Sequence, residues 1–329
     1  MMSERVLLTG ITGYIGQHCA AELLKQGYDV VGTIRSRSKA DATKLALAKV
    51  APVEQLSFVE ADLLADDGWD LAMKGCTFVM HVASPFILAE PKNENDLIKP
   101  AVQGTKRVIT AAKYAGVKRL VLTSSTVAIM GGHESGRYGP ETWSDTTANI
   151  GAYMKSKTLA ERAAWEAVAD SKMELIVINP GGVFGPPLGA KLEGQNLEMI
   201  ARMISGKLPM IPDIGMGMID VRDVASLHVR ALTAKGVAGK RFIAASAEPV
   251  EMFTVASILR KAGYSKVPSF KAPSFLLKVM GLIDREAKGM VPFLGKKASF
   301  DNLATFELLG WKPSPIETSF IEMAAALDK

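Results

Sequence analysis

Cysteine is almost missing from this chain: its 329 residues include Cys19 and Cys76 and no others. Two thiols cannot build a disulfide framework, and both stand among apolar neighbours, so they read as buried thiols of a reducing compartment. Histidine is as sparse. His18, His81, His133 and His228 are scattered without the spacing to cysteine or acids that a metal site needs, so no metal is expected. No apolar run reaches the roughly 18 residues that cross a bilayer, and the stretch around Phe275 to Ile283 is cut by Lys278. Charge of one sign is not concentrated anywhere. The 39 Lys and Arg against 34 Asp and Glu leave a net +5 spread along the chain, a solvated surface that mildly favours anionic ligands and is no nucleic-acid footprint. Arg5 already opens the first strand, so no leader is expected before it. The expectation is a soluble cytoplasmic protein, monomer or homodimer, with neither nucleic acid nor membrane as partner.

Glycine, by contrast, is placed with purpose at the start. Val6-Leu7-Leu8-Thr9-Gly10-Ile11-Thr12-Gly13-Tyr14-Ile15-Gly16 is a short apolar run ending in three spaced glycines, and an amphipathic segment to Gln26 follows. Strand, tight turn and helix in that order are what a dinucleotide-binding loop requires. Gly10 permits the sharp turn, Gly13 lets the backbone approach a pyrophosphate, and Gly16 lets the helix pack close to the sheet. The free N–H groups at the helix N-terminus would then face the phosphates.

Strand-like and helix-like runs alternate onward. Asp29–Ile34, Leu56–Val59, Phe78–Val82, Arg119–Leu122 and Leu175–Ile178 read as strands. Lys39–Val50, the stretch through Trp69 and Met73, Asn93–Tyr114 and Ile150–Ala169 read as helices, and Gly131 to Asn149 reads as a polar loop. This alternation predicts an α/β fold, a Rossmann-type doubly wound parallel sheet covered on both faces. Beyond Asn179 the rhythm breaks at a Pro- and Gly-rich stretch. The expected organisation is a nucleotide-binding domain over 1–180, with 217–235 returning to it, and a smaller substrate-binding part from 181–216 and 236–329.

Ligands of such sheets bind at the carboxyl ends of the strands. At the second strand this chain carries Gly32-Thr33-Ile34-Arg35-Ser36-Arg37-Ser38-Lys39, with no acid before Asp41. An acid there would accept from the ribose 2′-OH of NAD, whereas an arginine accommodates the 2′-phosphate of NADP and can stack on adenine. NADP(H) is therefore the expected cofactor. Tyr153-Met154-Lys155-Ser156-Lys157 sets a phenol and an ammonium four residues apart on one helix face. The lysine is expected to lower the phenol's reference pKa of about 10, so that the tyrosine can exchange a proton with a carbonyl or alcohol oxygen. Tyr114 and Lys118 repeat that spacing, but Gly116 stops their helix and Arg119 begins a strand directly after, which puts them at the amino end of the sheet. Ser124-Ser125, at the end of the preceding strand, supplies a hydroxyl for the developing oxyanion, with Ser125 the better candidate. Phe86, Met130 and Phe184 are candidates for an apolar substrate pocket.

Taken together these stretches resemble the extended short-chain dehydrogenase/reductases, in particular the dihydroflavonol-reductase-like branch with cinnamoyl-CoA reductases and microbial aldehyde and ketone reductases. The resemblance runs through Thr9 to Gly16, Ala61-Asp62-Leu63, His81-Val82-Ala83-Ser84-Pro85 and Ile98 to Thr105. It continues through Leu122 to Ser125, Trp143-Ser144-Asp145, Tyr153 to Lys157, Asn179 to Pro186 and Ile219 to Val224, and fades after about residue 235. It implies a catalytic triad of Ser125, Tyr153 and Lys157, with Arg35 on the 2′-phosphate. It also implies that Asp62 and Leu63 flank adenine, and that Val82, Ala83 and Ser84 with Pro180, Gly181 and Val183 line the cofactor. Thr12, Tyr14, Ile15 and Ser124 complete the implied cofactor contacts. Gln103 stands where many members carry asparagine. Met130 stands where the plant dihydroflavonol enzymes carry an asparagine for the flavonoid ring, so a flavonoid is not the implied substrate.

The reading is an NADPH-dependent carbonyl reductase, its partner a small carbonyl or alcohol substrate. A nucleotide-sugar epimerase or dehydratase on the same scaffold is the alternative within enzymes, and a non-catalytic NADP sensor the alternative outside them. Arg35 in place of an acid disfavours the first, and the Tyr153–Lys157 pair disfavours the second. Cofactor choice is directly measurable: one charge-assisted contact to the 2′-phosphate contributes about 1.5–3 kcal/mol, so NADPH should be oxidised at least tenfold more efficiently than NADH. Equal use of the two would remove Arg35 from its assigned role.

Overall fold

The computed structural model describes residues 4–85, 89–189 and 194–328; Phe86 lies outside them. Seven parallel strands form the central sheet. In chain order, the first elements are β1 (Arg5–Thr9), α1 (Tyr14–Lys25), β2 (Asp29–Ile34), α2 (Ala40–Ala48), β3 (Leu56–Glu60), α3 (Trp69–Met73), β4 (Phe78–His81) and α4 (Asn95–Tyr114). Next come β5 (Arg119–Thr123), α5 (Val127–Met130), β6 (Gly136–Tyr138), α6 (Gly151–Val168), β7 (Glu174–Pro180) and β8 (Gly182–Phe184). The chain continues through α7 (Gln195–Ile204), β9 (Gly215–Met216), β10 (Met218–Asp220), α8 (Val221–Thr233) and β11 (Arg241–Ala244). The sheet order β3-β2-β1-β4-β5-β7-β11 reverses direction between β1 and β4, the switch point where such folds open a ligand crevice.

Side-chain alternation along the strands feeds two cores. Val6 and Leu8 of β1 join Leu23 of α1 and Val224 and Leu227 of α8 on one face, while Leu7 joins Met73 of α3 and Val108 and Ile109 of α4 on the other. The strands are nearly continuous runs of Val, Ile and Leu because both faces are covered.

Two elements differ from the sequence reading. β11, assigned there to the substrate part, is the seventh strand and pairs with β7 from Arg241–Val177 to Ala244–Pro180; four residues carry too little periodicity to announce which sheet they join. The expected loop from 131 to 149 contains β6, which pairs with Ala298–Phe300, a partner some 160 residues away in sequence and so without a local signal. The smaller part has its own core, where Leu197, Ile200 and Met203 of α7 meet Val255, Leu259, Phe320 and Met323.

Three of the four histidines are buried, and burial lowers them all: His18 and His228 to about 4, and His81, also facing Lys157, to about 3. They are neutral in the fold, whereas the unfolded chain takes up their protons near pH 6.5. Unfolding therefore binds protons between pH 6.5 and about 4, and stability falls as pH drops through that window, by about 1.4 kcal/mol per pH unit for each such histidine. Urea midpoints should fall steadily from pH 7.5 to 5; a flat profile would show these histidines to be accessible.

Candidate active site

The glycine turn lies at the carboxyl end of β1. Gly10 has φ +75°, and a Cβ there would stand 2.8 Å from the Ala83 nitrogen. A Cβ at Gly16 would stand 2.0 Å from the Gly10 carbonyl oxygen, which fixes how closely α1 begins behind the turn. Gly13 is the N-cap of α1 and makes no side-chain cap, and no acid stands in the first turn. The helix thus presents free main-chain donors beside an exposed glycine, which suits a pyrophosphate. Thr9 locks this turn to the next strand end: its Oγ1 accepts from the main-chain N–H of Val82 at 3.1 Å and of Ala83 at 3.0 Å. Its own proton is then free for His81 Nδ1, 2.8 Å away. Neither Thr9 nor this role of His81 was expected from the sequence.

Arg35 is exposed at the end of β2. Glu60, the acid across from it on β3, accepts from the main-chain N–H of Arg37 at 2.9 Å. Asp62 shapes the turn after β3 by accepting from the Leu64 N–H at 2.9 Å, and Leu63 packs under α4 at Gly104. Thr12, Ile15 and Ser84 are partly exposed around the crevice. Tyr14 reaches across it and donates to the Gly185 carbonyl at 2.7 Å. Pro180 ends β7, with its carbonyl accepting from the Thr126 N–H at 2.9 Å. Gly181 packs so tightly on Gly217 that no Cβ fits. Val183 is buried, and its carbonyl accepts from Asn196 at 3.0 Å. The glycine cradle, the uncapped helix and the unopposed Arg35 fit a phosphorylated dinucleotide.

Tyr153 stands in the first turn of α6, and its hydroxyl hydrogen-bonds the Ser125 side chain from the end of β5. The hydroxyl of Ser125 also lies 3.4 Å from the Pro180 carbonyl. Lys157 is one turn further on and buried. The electrostatics differ from the expected direction. Burial pushes the Tyr153 phenol up to about 12 against the lowering pull of the Ser125 bond, and burial alone brings Lys157 down to about 8. Desolvation disfavours the charged form of each, and in the protein alone it outweighs the attraction that sequence spacing suggests. Tyr114 is 87% exposed at the far end of the sheet, well away from these groups.

Two expected site residues are more deeply buried than the sequence suggests. Ser124, assigned to the cofactor, is buried and donates its hydroxyl to Glu161 at 2.5 Å. Phe184, assigned to the substrate pocket, is 0% exposed, its ring 4.6 Å from that of Phe320 in the core of the smaller part. Met130 is half-buried at the end of α5. Tyr153 and the half-buried Phe293 pack against a small buried apolar cluster of Val127, Ile150 and Met154. Among the described residues no cluster of His, Cys, Asp or Glu could hold a metal, and no helix is long and apolar enough to cross a membrane.

A doubly wound sheet with a glycine turn at its switch point, and a serine, tyrosine and lysine at the carboxyl end of β5, defines a Rossmann-type dinucleotide-binding protein of the short-chain dehydrogenase/reductase kind. The NAD dependent epimerase/dehydratase family model matches residues 6–245, and the chain belongs to that family. It is 33% identical over 280 residues to the NADPH-dependent methylglyoxal reductase GRE2 of Saccharomyces cerevisiae, covering 77% of this chain and 80% of that one. It is 34% identical over 255 residues to cinnamoyl-CoA reductase 1 of Arabidopsis thaliana, covering 74% and 71%. The crystal structure of yeast methylglyoxal/isovaleraldehyde reductase Gre2 complexed with NADPH superposes with a TM-score of 0.81 at 27% identity, covering 98% of each chain.

Gly16→Ala tests the cradle. The new methyl group must displace the Gly10 carbonyl, so stability should fall by about 1–3 kcal/mol and NADPH affinity by at least tenfold, read by urea melts and fluorescence titration. Unchanged NADPH affinity would place the cofactor elsewhere.

Proposed function

We propose that this protein is an NADPH-dependent reductase of aldehyde and ketone carbonyls, with Ser125, Tyr153 and Lys157 as its catalytic residues. The observation that carries this reading is the joining of Tyr153 to Ser125 at the carboxyl end of β5, one helical turn from a buried Lys157. The relatives named as methylglyoxal and cinnamoyl-CoA reductases support the choice of a carbonyl substrate.

The chemistry of the chain's own groups follows from their environment. A phenol near pKa 12 stays protonated at neutral pH and is an acid in waiting. The chemistry that NADPH would supply when bound is hydride donation. As negative charge grows on the carbonyl oxygen, Ser125 can donate to it and Tyr153 can pass its proton to it. Lys157, protonated below about pH 8, stabilises the phenolate left behind. In alcohol oxidation the same groups run in reverse. Arg35, Ser36 and Lys39 would offer donors to the 2′-phosphate, the turn at Gly10, Gly13 and Gly16 would hold the pyrophosphate, and Val82 to Ser84 with Pro180 and Gly181 would line the remainder. The carbonyl compound meets Met130 and the apolar cluster of Val127 and Phe293, which suits aromatic aldehydes and small α-oxoaldehydes.

The test is NADPH oxidation against methylglyoxal, cinnamaldehyde, benzaldehyde and simple ketones, with Tyr153→Phe beside the native protein. Losing the proton donor should lower kcat by about 10²–10⁴-fold while NADPH affinity stays within about threefold. Native-like turnover by Tyr153→Phe would refute the assignment. The reduction rate should also decline above about pH 8, as Lys157 loses its proton; a rate level to pH 10 would remove that lysine from the mechanism.

A further inference from the structure

Glu161 has no part in the chemistry above, yet its carboxylate is ligated by four residues. It follows Tyr153 and Lys157 at the same four-residue step, so the three climb one face of α6. It is 1% exposed, and Arg241, on β11, is 8% exposed. Glu161 Oε1 accepts from Arg241 Nε at 2.5 Å and from Trp165 Nε1 at 3.4 Å. Oε2 accepts from Ser124 Oγ at 2.5 Å, Asn179 Nδ2 at 2.9 Å and Arg241 Nη2 at 3.3 Å. The same Asn179 nitrogen donates to the Ser125 carbonyl at 3.1 Å. Arg241 further donates to the Pro140 and Thr142 carbonyls at 2.7 and 2.6 Å, and its guanidinium lies 4.0 Å over the Trp143 ring.

The rest of the α6 interface gives a reason for so much polarity. The buried face of α6 is built largely from small side chains, Ala152, Ser156, Ala160, Ala163 and Ala164. Such a face has few knobs to resist sliding, and hydrophobic burial is non-directional. A carboxylate gripped by donors from β5, β7 and β11 cannot slide without breaking charged hydrogen bonds in a low-dielectric interior. Stability alone does not explain the pair, since a well-packed apolar pair of similar volume usually serves stability as well.

We propose that Glu161 and Arg241 are positioning residues: their ion pair, relayed through Ser124 and Asn179, sets the register of α6 against β5 and so the placement of Tyr153 and Lys157 relative to Ser125. The proposal rests on the catalytic reading of those three residues. A misplacement of about 1 Å at reacting groups lowers a rate by about 100-fold, which is the size of effect at stake.

The test compares the native enzyme with the apolar double variant Glu161→Leu/Arg241→Met and with Asn179→Leu, which leaves the ion pair and severs its tie to Ser125. NADPH-binding stoichiometry counts folded sites, and kcat is expressed per bound NADPH. The double variant should melt within a few degrees of the native enzyme and bind NADPH within about threefold of it, with KM little changed and kcat down about 30–100-fold. Asn179→Leu should lose about tenfold in kcat and decides the matter if the double variant does not fold. Native kcat per bound NADPH in the folded variant would overturn the proposal. A crystal structure of that variant gives an answer that needs no turnover: α6 should shift against β5 by more than about 0.5 Å, the tolerance of a productive site, and an unmoved helix overturns the proposal. Inactivity of the native enzyme on every carbonyl compound would instead refute the functional reading, leaving the helix shift to judge the register.

Discussion

A carboxylate withdrawn from water must be met by donors on several sides or it destabilises the fold around it. Glu161 satisfies that demand with Ser124, Asn179, Trp165 and Arg241, which come from two strand ends, the edge strand and its own helix. The consequence is geometric. The carboxyl ends of β5 and β7, the edge strand β11 and the helix carrying Tyr153 share one centre, and the loop bearing Trp143 is drawn onto it through Arg241. The apolar cores supply most of the favourable free energy, but they would tolerate neighbouring placements of a smooth, alanine-lined helix. The buried charge does not.

A second polar joint works at the nucleotide end. Thr9 is the last residue of β1, and its hydroxyl accepts two main-chain donors from the segment after β4 while reaching His81. The two strand ends that flank the switch point are therefore tied by one buried side chain. The glycine turn and the segment Val82 to Ser84 form a single surface.

Beside the pairing of β6 with Ala298–Phe300 and of β10 with β8, side chains couple the smaller part to this surface. Tyr14 donates to the Gly185 carbonyl and His18 contacts that of Pro186 at 3.0 Å. Asp220 accepts from the Arg222 main chain and from Ser319. Arg222 reaches Glu322 at 2.7 Å, and Asp223 accepts from Ser314 and Trp311. The acids of the Ile219-to-Val224 motif thus cap α8 and fasten the C-terminal helix, so their place in the family resemblance is structural. The loop after β8 is thus held by α1, the helix that begins at the glycine turn.

Local chemistry made much of this molecule readable in advance. The strands β1 to β5 and β7 and the helices α1 to α4 and α6 are runs whose period and punctuation are set within a few residues, and the glycine turn is recognisable because only glycine permits its φ and its close approaches. That Tyr153 and Tyr114 lie at opposite ends of the sheet was also legible, because the end of the sheet a residue occupies follows from whether it precedes or follows a strand. What stayed hidden depends on partners distant in sequence. The pairing of β6 with Ala298–Phe300, the entry of β11 into the sheet, the turning of Ser124 toward Glu161 and the burial of Phe184 against Phe320 are all of this kind. The direction in which Tyr153 and Lys157 are shifted belongs with them, because spacing tells which charges are near, while only the packed structure decides how much water each group has lost. The sequence by itself determined which residues could do chemistry and at which end of the sheet. The tertiary structure alone decided how they are oriented and charged, because orientation and desolvation arise from contacts between segments that the chain brings together only on folding.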